Sequence, residues 1–188
     1  MLLVVGLILF LGIHLLPTQP RWRLALVQRW GERRYKGAFS LVSLAGFVLI
    51  IVGYAATSPG PRLFQPSATA IALAPYLVTL SFVLLAAANL RSHIRRVLKH
   101  PMLMGLALWA TVHLLANGDT RGTVLFGTFL AYALIDFVSV VQRHATELFV
   151  PTARHDVIAV IAGVIAALVV MALHRVLFGV SVAPWLKG

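Results

Sequence analysis

The sequence contains no cysteine. Disulfides, thiolate metal ligands and cysteine nucleophiles are therefore excluded, and the redox compartment stays open. Charge is scarce too. Only 11% of the 188 residues are charged, against about 25% in a typical soluble domain. A chain so poor in charge cannot cover a globule with polar surface. Acid is scarcest of all, with five Asp and Glu against 16 Lys and Arg, for a net charge of +11. That excess does not read as a nucleic-acid footprint, because no recognition module is visible and the cations fall between apolar runs. There is no internal repeat and no low-complexity tract.

What the sequence has in quantity is apolar residues. They make up 60% of the chain, and the mean hydropathy is +0.93. A membrane-spanning helix needs about 20 mostly apolar residues. Six runs approach or meet that length: 1–16, 38–56, 69–90, 101–116, 122–141 and 157–178. The first has no basic residues before it and no small-residue cleavage site, so it reads as a span and not as a cleaved signal peptide. The breaker Ser58-Pro59-Gly60-Pro61 ends the second, and Pro101 is a favoured first residue for the fourth. Between the first two spans, residues 21–36 are basic and amphipathic with Trp22, Trp30 and Tyr35 interleaved, which suits a helix at the membrane interface. The expectation is an all-α polytopic membrane helix bundle of about six transmembrane helices in one domain, 1–188. The first and fourth spans are short, so five spans or a re-entrant segment is the alternative.

Lys and Arg set the orientation. The loops after spans one, three and five carry six, four and two of them, twelve in all, and the other side carries Arg62, Arg121, Arg175 and Lys187. By the positive-inside rule the basic loops face the cytoplasm and both termini face out. The expected setting is a bacterial plasma membrane, with the lipid bilayer as principal partner.

Ionisable residues at membrane depth are functional candidates by default. Of seven histidines, His93, His100, His144 and His155 lie in or beside the cytoplasmic loops, where a solvated or interfacial ring is the ordinary reading. His14, His113 and His174 lie inside spans. Leu106, Trp109, Ala110 and Asn117 share the helical face of His113. Small Ala110 and flat Trp109 suit a planar cofactor, and they equally suit helix packing. The face of His14, with Leu7, Phe10 and Leu11, is wholly apolar, so its ring needs a partner on another helix or a ligand. Counted from opposite membrane faces at 1.5 Å per residue, His14 and His113 each lie about 18 Å deep, and in a core about 30 Å thick their heights differ by only about 6 Å. Two neutral imidazoles at mid-membrane fit the axial ligands of a b-type haem. His113 with His174 is the rival pairing. A non-haem iron site would want a carboxylate. Asp136 is nearer the cytoplasmic end and is expected to pair with Arg91, Arg95 or Arg96.

The stretch 89–119 holds the most chemistry. Pro101 disfavours helix at His100, so a bend is expected there. His93, Arg96 and His100 together could form an anion site for a haem propionate, a lipid phosphate or a nucleotide phosphate. An ordinary basic cytoplasmic loop is the plain alternative.

The run Arg96-Val97-Leu98-Lys99-His100-Pro101-Met102-Leu103-Met104-Gly105, followed by Leu108-Trp109-Ala110-Thr111-Val112-His113-Leu114-Leu115-Ala116-Asn117-Gly118-Asp119, resembles the signature of the NnrU family. Gly12-Ile13-His14 and Gly31-Glu32-Arg33-Arg34-Tyr35-Lys36-Gly37 resemble it as well. The resemblance covers most of residues 1–145. Relatives include the plant and cyanobacterial 15-cis-zeta-carotene isomerases, haem b proteins that turn a cis double bond of a polyene to trans with ferrous haem and no net redox change. The resemblance implies haem b held by His14 and His113 as iron ligands, with Trp109, His100 and Arg96 also near the cofactor. Bacterial relatives are linked to nitric oxide and denitrification, which implies a redox partner instead. The isomerases carry Cys where Ala110 stands here, so ligand exchange through that Cys is impossible in this chain.

A weaker resemblance joins Lys99-His100-Pro101 and Gly105 to the isoprenylcysteine-type membrane methyltransferases, which use S-adenosylmethionine. Their further acidic motif near the C-terminus is not clear here. Three readings therefore stand: a haem protein acting on a polyene or in nitric oxide-linked redox chemistry, a non-catalytic membrane partner or assembly factor, and a methyltransferase.

Overall fold

The computed structural model describes residues 1–143, 148–179 and Val182. His144 and Lys187 lie outside the described residues. The described chain is helical. Its elements in order are α1 (Leu2–Leu15) with a 3-10 turn (Leu16–Thr18), α2 (Pro20–Trp30), α3 (Glu32–Ala56), α4 (Ala68–Ala87), α5 (His93–Leu98), α6 (Pro101–Asn117), α7 (Thr120–Gln142) and α8 (Ala153–Phe178).

Each of the six expected apolar runs forms a helix. Four of them, α3, α4, α7 and α8, are long and apolar enough to cross a membrane. The bent pair α1 and α2 makes a fifth if the two count as one span, with 97° between them. Helix α6 has only 17 residues, about 25 Å at 1.5 Å per residue, short of a core about 30 Å thick. Length and composition thus give four or five crossings, against the six expected.

The basic segment 21–36 is not one helix. Gly31, at φ +79, ends α2, and Glu32 begins α3. Trp22 and Trp30 on α2 are exposed, while Tyr35 is buried at the start of α3. Proline and capping residues set the other boundaries. Ser67, Ser92 and Asp119 accept backbone N–H bonds from Ala70, Arg95 and Gly122, which starts α4, α5 and α7. Gly118, in the left-handed conformation, lets the chain leave α6, and its carbonyl accepts the N–H of Leu63 at 2.8 Å, tying the α3–α4 loop to the α6–α7 turn.

The helices pack in a row, each mainly on its neighbours, in the order α3, α1, α7, α6, α4, α8. Three of the five seams bring backbones close at glycine. On α1 and α3, a Cβ at Gly6 would stand 2.6 Å from the Ile50 nitrogen, and one at Gly46 2.6 Å from the Phe10 nitrogen. Gly53 has no more room against Leu3. On α4 and α6, Gly105 meets Ser81, whose hydroxyl donates to the Gly105 carbonyl at 2.7 Å. On α4 and α8, Gly163 lies against the Val83 backbone. Small residues of this kind let helices associate without a hydrophobic drive. The seams of α7 with α1 and α6 are filled instead by large rings.

Candidate functional site

Those rings gather His14 and His113, two of the three histidines carried by the apolar runs. His14 stacks at 4.3 Å on Phe10 and meets Phe39 edge-on at 5.1 Å and Tyr132 at 6.3 Å. Phe10 reaches Phe129 of α7 at 5.9 Å, and Phe129 reaches Trp109 of α6 at 5.6 Å. Trp109 lies 5.0 Å from His113, and Phe126 lies 4.9 Å from the same imidazole. An unbroken aromatic ladder thus joins the two histidines across α7, through Phe10, Phe129 and Trp109. The imidazoles are not in contact with each other. A planar group inserted between them would have to stack on these rings or displace them.

Both imidazoles are anchored alike. The Nδ1–H of His14 donates to the Phe10 carbonyl at 2.6 Å, and that of His113 to the Trp109 carbonyl at 2.8 Å. A carbonyl only accepts, so each Nδ1 carries the proton and each Nε2 keeps its lone pair. Among the described residues neither Nε2 has a partner. The Nδ1 partner of His14 lies on its own helix, four residues back, where a partner on another helix or a ligand was expected. Asn117, on the face of His113, donates to the His113 carbonyl and not to its ring. Ala110 is fully buried on the same helix. His174, on α8, meets the Phe178 ring at 4.8 Å.

His100 and Arg96 belong to a different place. Thirteen residues separate His100 from His113, about 20 Å along α6 at 1.5 Å per residue. His100 precedes Pro101, meets Phe137 edge-on at 6.3 Å, and lines a cavity of about 980 Å³ with Arg96, Lys99 and Asp136. The expected bend is there: Lys99 has φ +61 between α5 and α6. Burial holds the His100 pKa below its ordinary value, helped by Lys99 and Arg143 and opposed by Asp136.

Two expected pairings are corrected. Asp136 is bound by the Tyr132 hydroxyl at 3.3 Å and approached by Arg143 at 3.9 Å, so its cation comes from the end of its own helix and not from Arg91, Arg95 or Arg96. His93 does not join Arg96 and His100. It bonds Asp156 of α8 at 2.6 Å, which fixes α5 against α8.

Two elements of the site escaped sequence reasoning. One is the stripe Phe126, Phe129 and Tyr132, whose three-residue spacing on α7, leading to Asp136, was a readable signal. The other is Arg121, in the first turn of α7. Its guanidinium donates to the carbonyls of Tyr54 and Thr57 at 3.0 and 2.7 Å and lies 4.1 Å from the centre of the Tyr54 ring. At the other end of α7, the Ser139 hydroxyl donates to the Thr18 carbonyl at 3.4 Å. Polar ties thus close both ends of the aromatic seam.

A family model described as NnrU protein matches residues 2–182. The chain belongs to the NnrU family. The match takes in α1 with His14, the α5–α6 turn with His100 and the whole of α6 with His113. No curated protein and no solved structure gives a significant match. Among the described residues no group of three or more His, Asp or Glu could hold a bare metal ion.

Proposed function

We propose that this NnrU protein binds a b-type haem in the membrane, with His14 and His113 as axial ligands through Nε2. One observation carries the reading. Two intramembrane imidazoles on different helices share one aromatic cluster, and each fixes Nδ1 on its own helix while leaving Nε2 without a partner. Haem-ligating histidines are set up this way, with one ring nitrogen oriented by a backbone carbonyl so that the other can bind metal. A histidine present only for packing would be satisfied by the same Nδ1 bond, but that bond does not explain why both ladder ends hold one. Trp109, Phe10 and Phe129 supply flat apolar walls.

Bound haem would supply an iron centre for isomerising a polyene or for handling electrons or nitric oxide. The residues favour a site without thiolate chemistry, since Ala110 fills the position where the isomerases carry Cys. In this reading the α5–α6 turn and the other basic loops face the cytoplasm, α1 and α6 complete six passes of a bacterial plasma membrane, and both termini lie outside.

The test is the visible spectrum of the full-length protein, expressed with ample haem, oxidised and dithionite-reduced. The wild type is expected to show a Soret band with sharp reduced α and β bands. His14→Ala and His113→Ala should each lose or shift it while helicity is retained, and His174→Ala should keep it. A colourless wild type ends the haem reading and leaves a non-catalytic partner. Ferrous protein incubated with 15-cis-zeta-carotene, or titrated with nitric oxide, then separates the two chemistries.

A further inference from the structure

The cavity at the α5–α6 turn is independent of the aromatic ladder. It opens between the ends of α4, α6 and α7 and measures about 980 Å³. Arg96 and Lys99 line it as cations with the His100 ring beside them, and Met102, Leu103 and Val140 are among its apolar lining residues. The lining contains one carboxylate, Asp136, already engaged by Tyr132 and Arg143. Among the described residues the side chains of Arg96 and Lys99 meet no carboxylate and form no hydrogen bond. Among the described residues, two cations thus stand without a carboxylate partner, beside the His100 ring and several apolar side chains.

The backbone holds this arrangement at a cost. Lys99 sits at φ +61 and ψ −49, a conformation that L side chains rarely adopt. Such a conformation is unfavourable for a residue with a side chain and persists only where its surroundings dictate it. Here they do. The Lys99 N–H closes α5 on the Arg95 carbonyl at 2.8 Å, the His100 N–H bonds the Leu98 carbonyl at 2.7 Å, and Pro101 must begin α6. Strain of this kind is found at ligand clamps. The result is a short turn that holds Arg96, Lys99 and His100 on one rim.

We propose that this cavity binds a phosphate ester, with the phosphate at the Arg96–Lys99–His100 rim. The guanidinium of Arg96 offers a two-pronged donor suited to phosphate, and Lys99 adds a point charge. The apolar lining fits an acyl chain, so the expected source is the headgroup of an anionic membrane phospholipid. A soluble phosphate would use the rim alone. The site uses neither His14 nor His113 and stands whether or not haem binds.

The full-length protein, reconstituted in phosphatidylcholine nanodiscs containing a minor fraction of phosphatidylglycerol, tests this by the lipid it retains on detergent extraction, weighed by native mass spectrometry. The wild type should retain phosphatidylglycerol over phosphatidylcholine. The Arg96→Ala/Lys99→Ala variant should lose that preference by about tenfold or more, as loss of charge-assisted hydrogen bonds to phosphate implies. Both residues are exposed, so the fold and any haem spectrum should not change. The variant Arg33→Ala/Arg34→Ala, equal in charge and exposed on α3, should retain lipid as the wild type does. If inorganic phosphate binds the wild type and not Arg96→Ala/Lys99→Ala, and phosphatidylglycerol shows no preference, the ligand is a soluble phosphate at the same rim. Equal retention by wild type and Arg96→Ala/Lys99→Ala, or equal loss in the Arg33/Arg34 variant, overturns the proposal, the latter by showing attraction to bulk charge.

Discussion

Helix α1 makes two seams of opposite construction. Against α3 it presents Gly6 and meets Gly46 and Gly53, backbone on backbone, with no space for a single added carbon. Against α7 it presents Phe10 and His14, which meet Phe129 and Tyr132 through rings 5.9 and 6.3 Å apart and touch Phe47 and Phe39 of α3 at 6.0 and 5.1 Å on their other side. The first seam is closed by main chain, which cannot move without moving a helix. The second is closed by side chains, which can rotate or be replaced by a guest of similar shape. In the proposed reading, the glycine seam would position His14 and the ring seam would yield to a flat guest. The His14 ring lies between Phe39 of α3 and Tyr132 of α7.

The largest effect should come from breaking the rigid seam. Gly46→Val places a branched side chain where the Phe10 backbone stands 2.6 Å from the added Cβ. Overpacking of this kind costs typically 1–3 kcal/mol. With backbone on both sides the upper end is expected, about 3 kcal/mol in reversible unfolding by denaturing detergent. Because α1 carries His14, the same substitution should also weaken any chromophore. Gly12→Val is the control, since nothing lies within 4 Å of its Cβ position. Equal losses for the two would show that α1 and α3 do not dock through glycine.

An intermediate effect is expected at the tie that closes the end of the loose seam. Arg121→Met keeps the apolar stem but removes two hydrogen bonds to the Tyr54 and Thr57 carbonyls and the cation over the Tyr54 ring. Hydrogen bonds from a charged group contribute about 1.5–3 kcal/mol each where they are made, offset by the desolvation of the guanidinium. A net loss of about 1–2 kcal/mol is expected by the same unfolding measurement. Hydrogen exchange should show more opening at the C-terminal end of α3 and the start of α7 than in α4 or α8. Uniform exchange across the helices would mean that Arg121 is not a local tie.

Most of the helical plan was legible in the sequence because a helix in lipid must satisfy its own backbone, and that demand writes apolar runs of fixed length. The run 101–116 became Pro101–Asn117, and 122–141 became Thr120–Gln142. The turn at Lys99 and His100 was legible through Pro101. What the runs could not decide was whether α6 is long enough to span, since it falls between the length classes. Nor could they show which helices are neighbours. His93 and Asp156 are 63 residues apart, and only the docking of α5 on α8 joins them. Asp136 was legible in part, for Arg143 lies two turns along the same helix, but the Arg91–Arg96 cluster is denser in charge and only the packing of the helices separates the two. For His14, a side-chain tally of its face overlooked the Phe10 carbonyl. His14 and His113 could be placed at similar depth from the sequence. That rings bridge them could not, because Phe10, Phe129 and Trp109 come from three helices.

The smallest effect should come from the replaceable seam, and it is the one that sharpens the contrast most. Phe129 is only partly buried and sits between Phe10 and Trp109 at 5.9 and 5.6 Å. Phe129→Leu keeps an apolar group of similar reach, and swaps of that kind usually cost less than about 1.5 kcal/mol. Loss of two ring contacts adds a few tenths of a kcal/mol to about 1 kcal/mol. The expected total is near 1 kcal/mol by the same measurement, well below that of Gly46→Val. If the seam is where a planar ligand enters, the substitution should change ligand uptake or spectrum more than it changes stability. If Phe129→Leu instead unfolds the protein as readily as Gly46→Val, the rings are structural core, the two seams of α1 are equivalent, and neither is built to open.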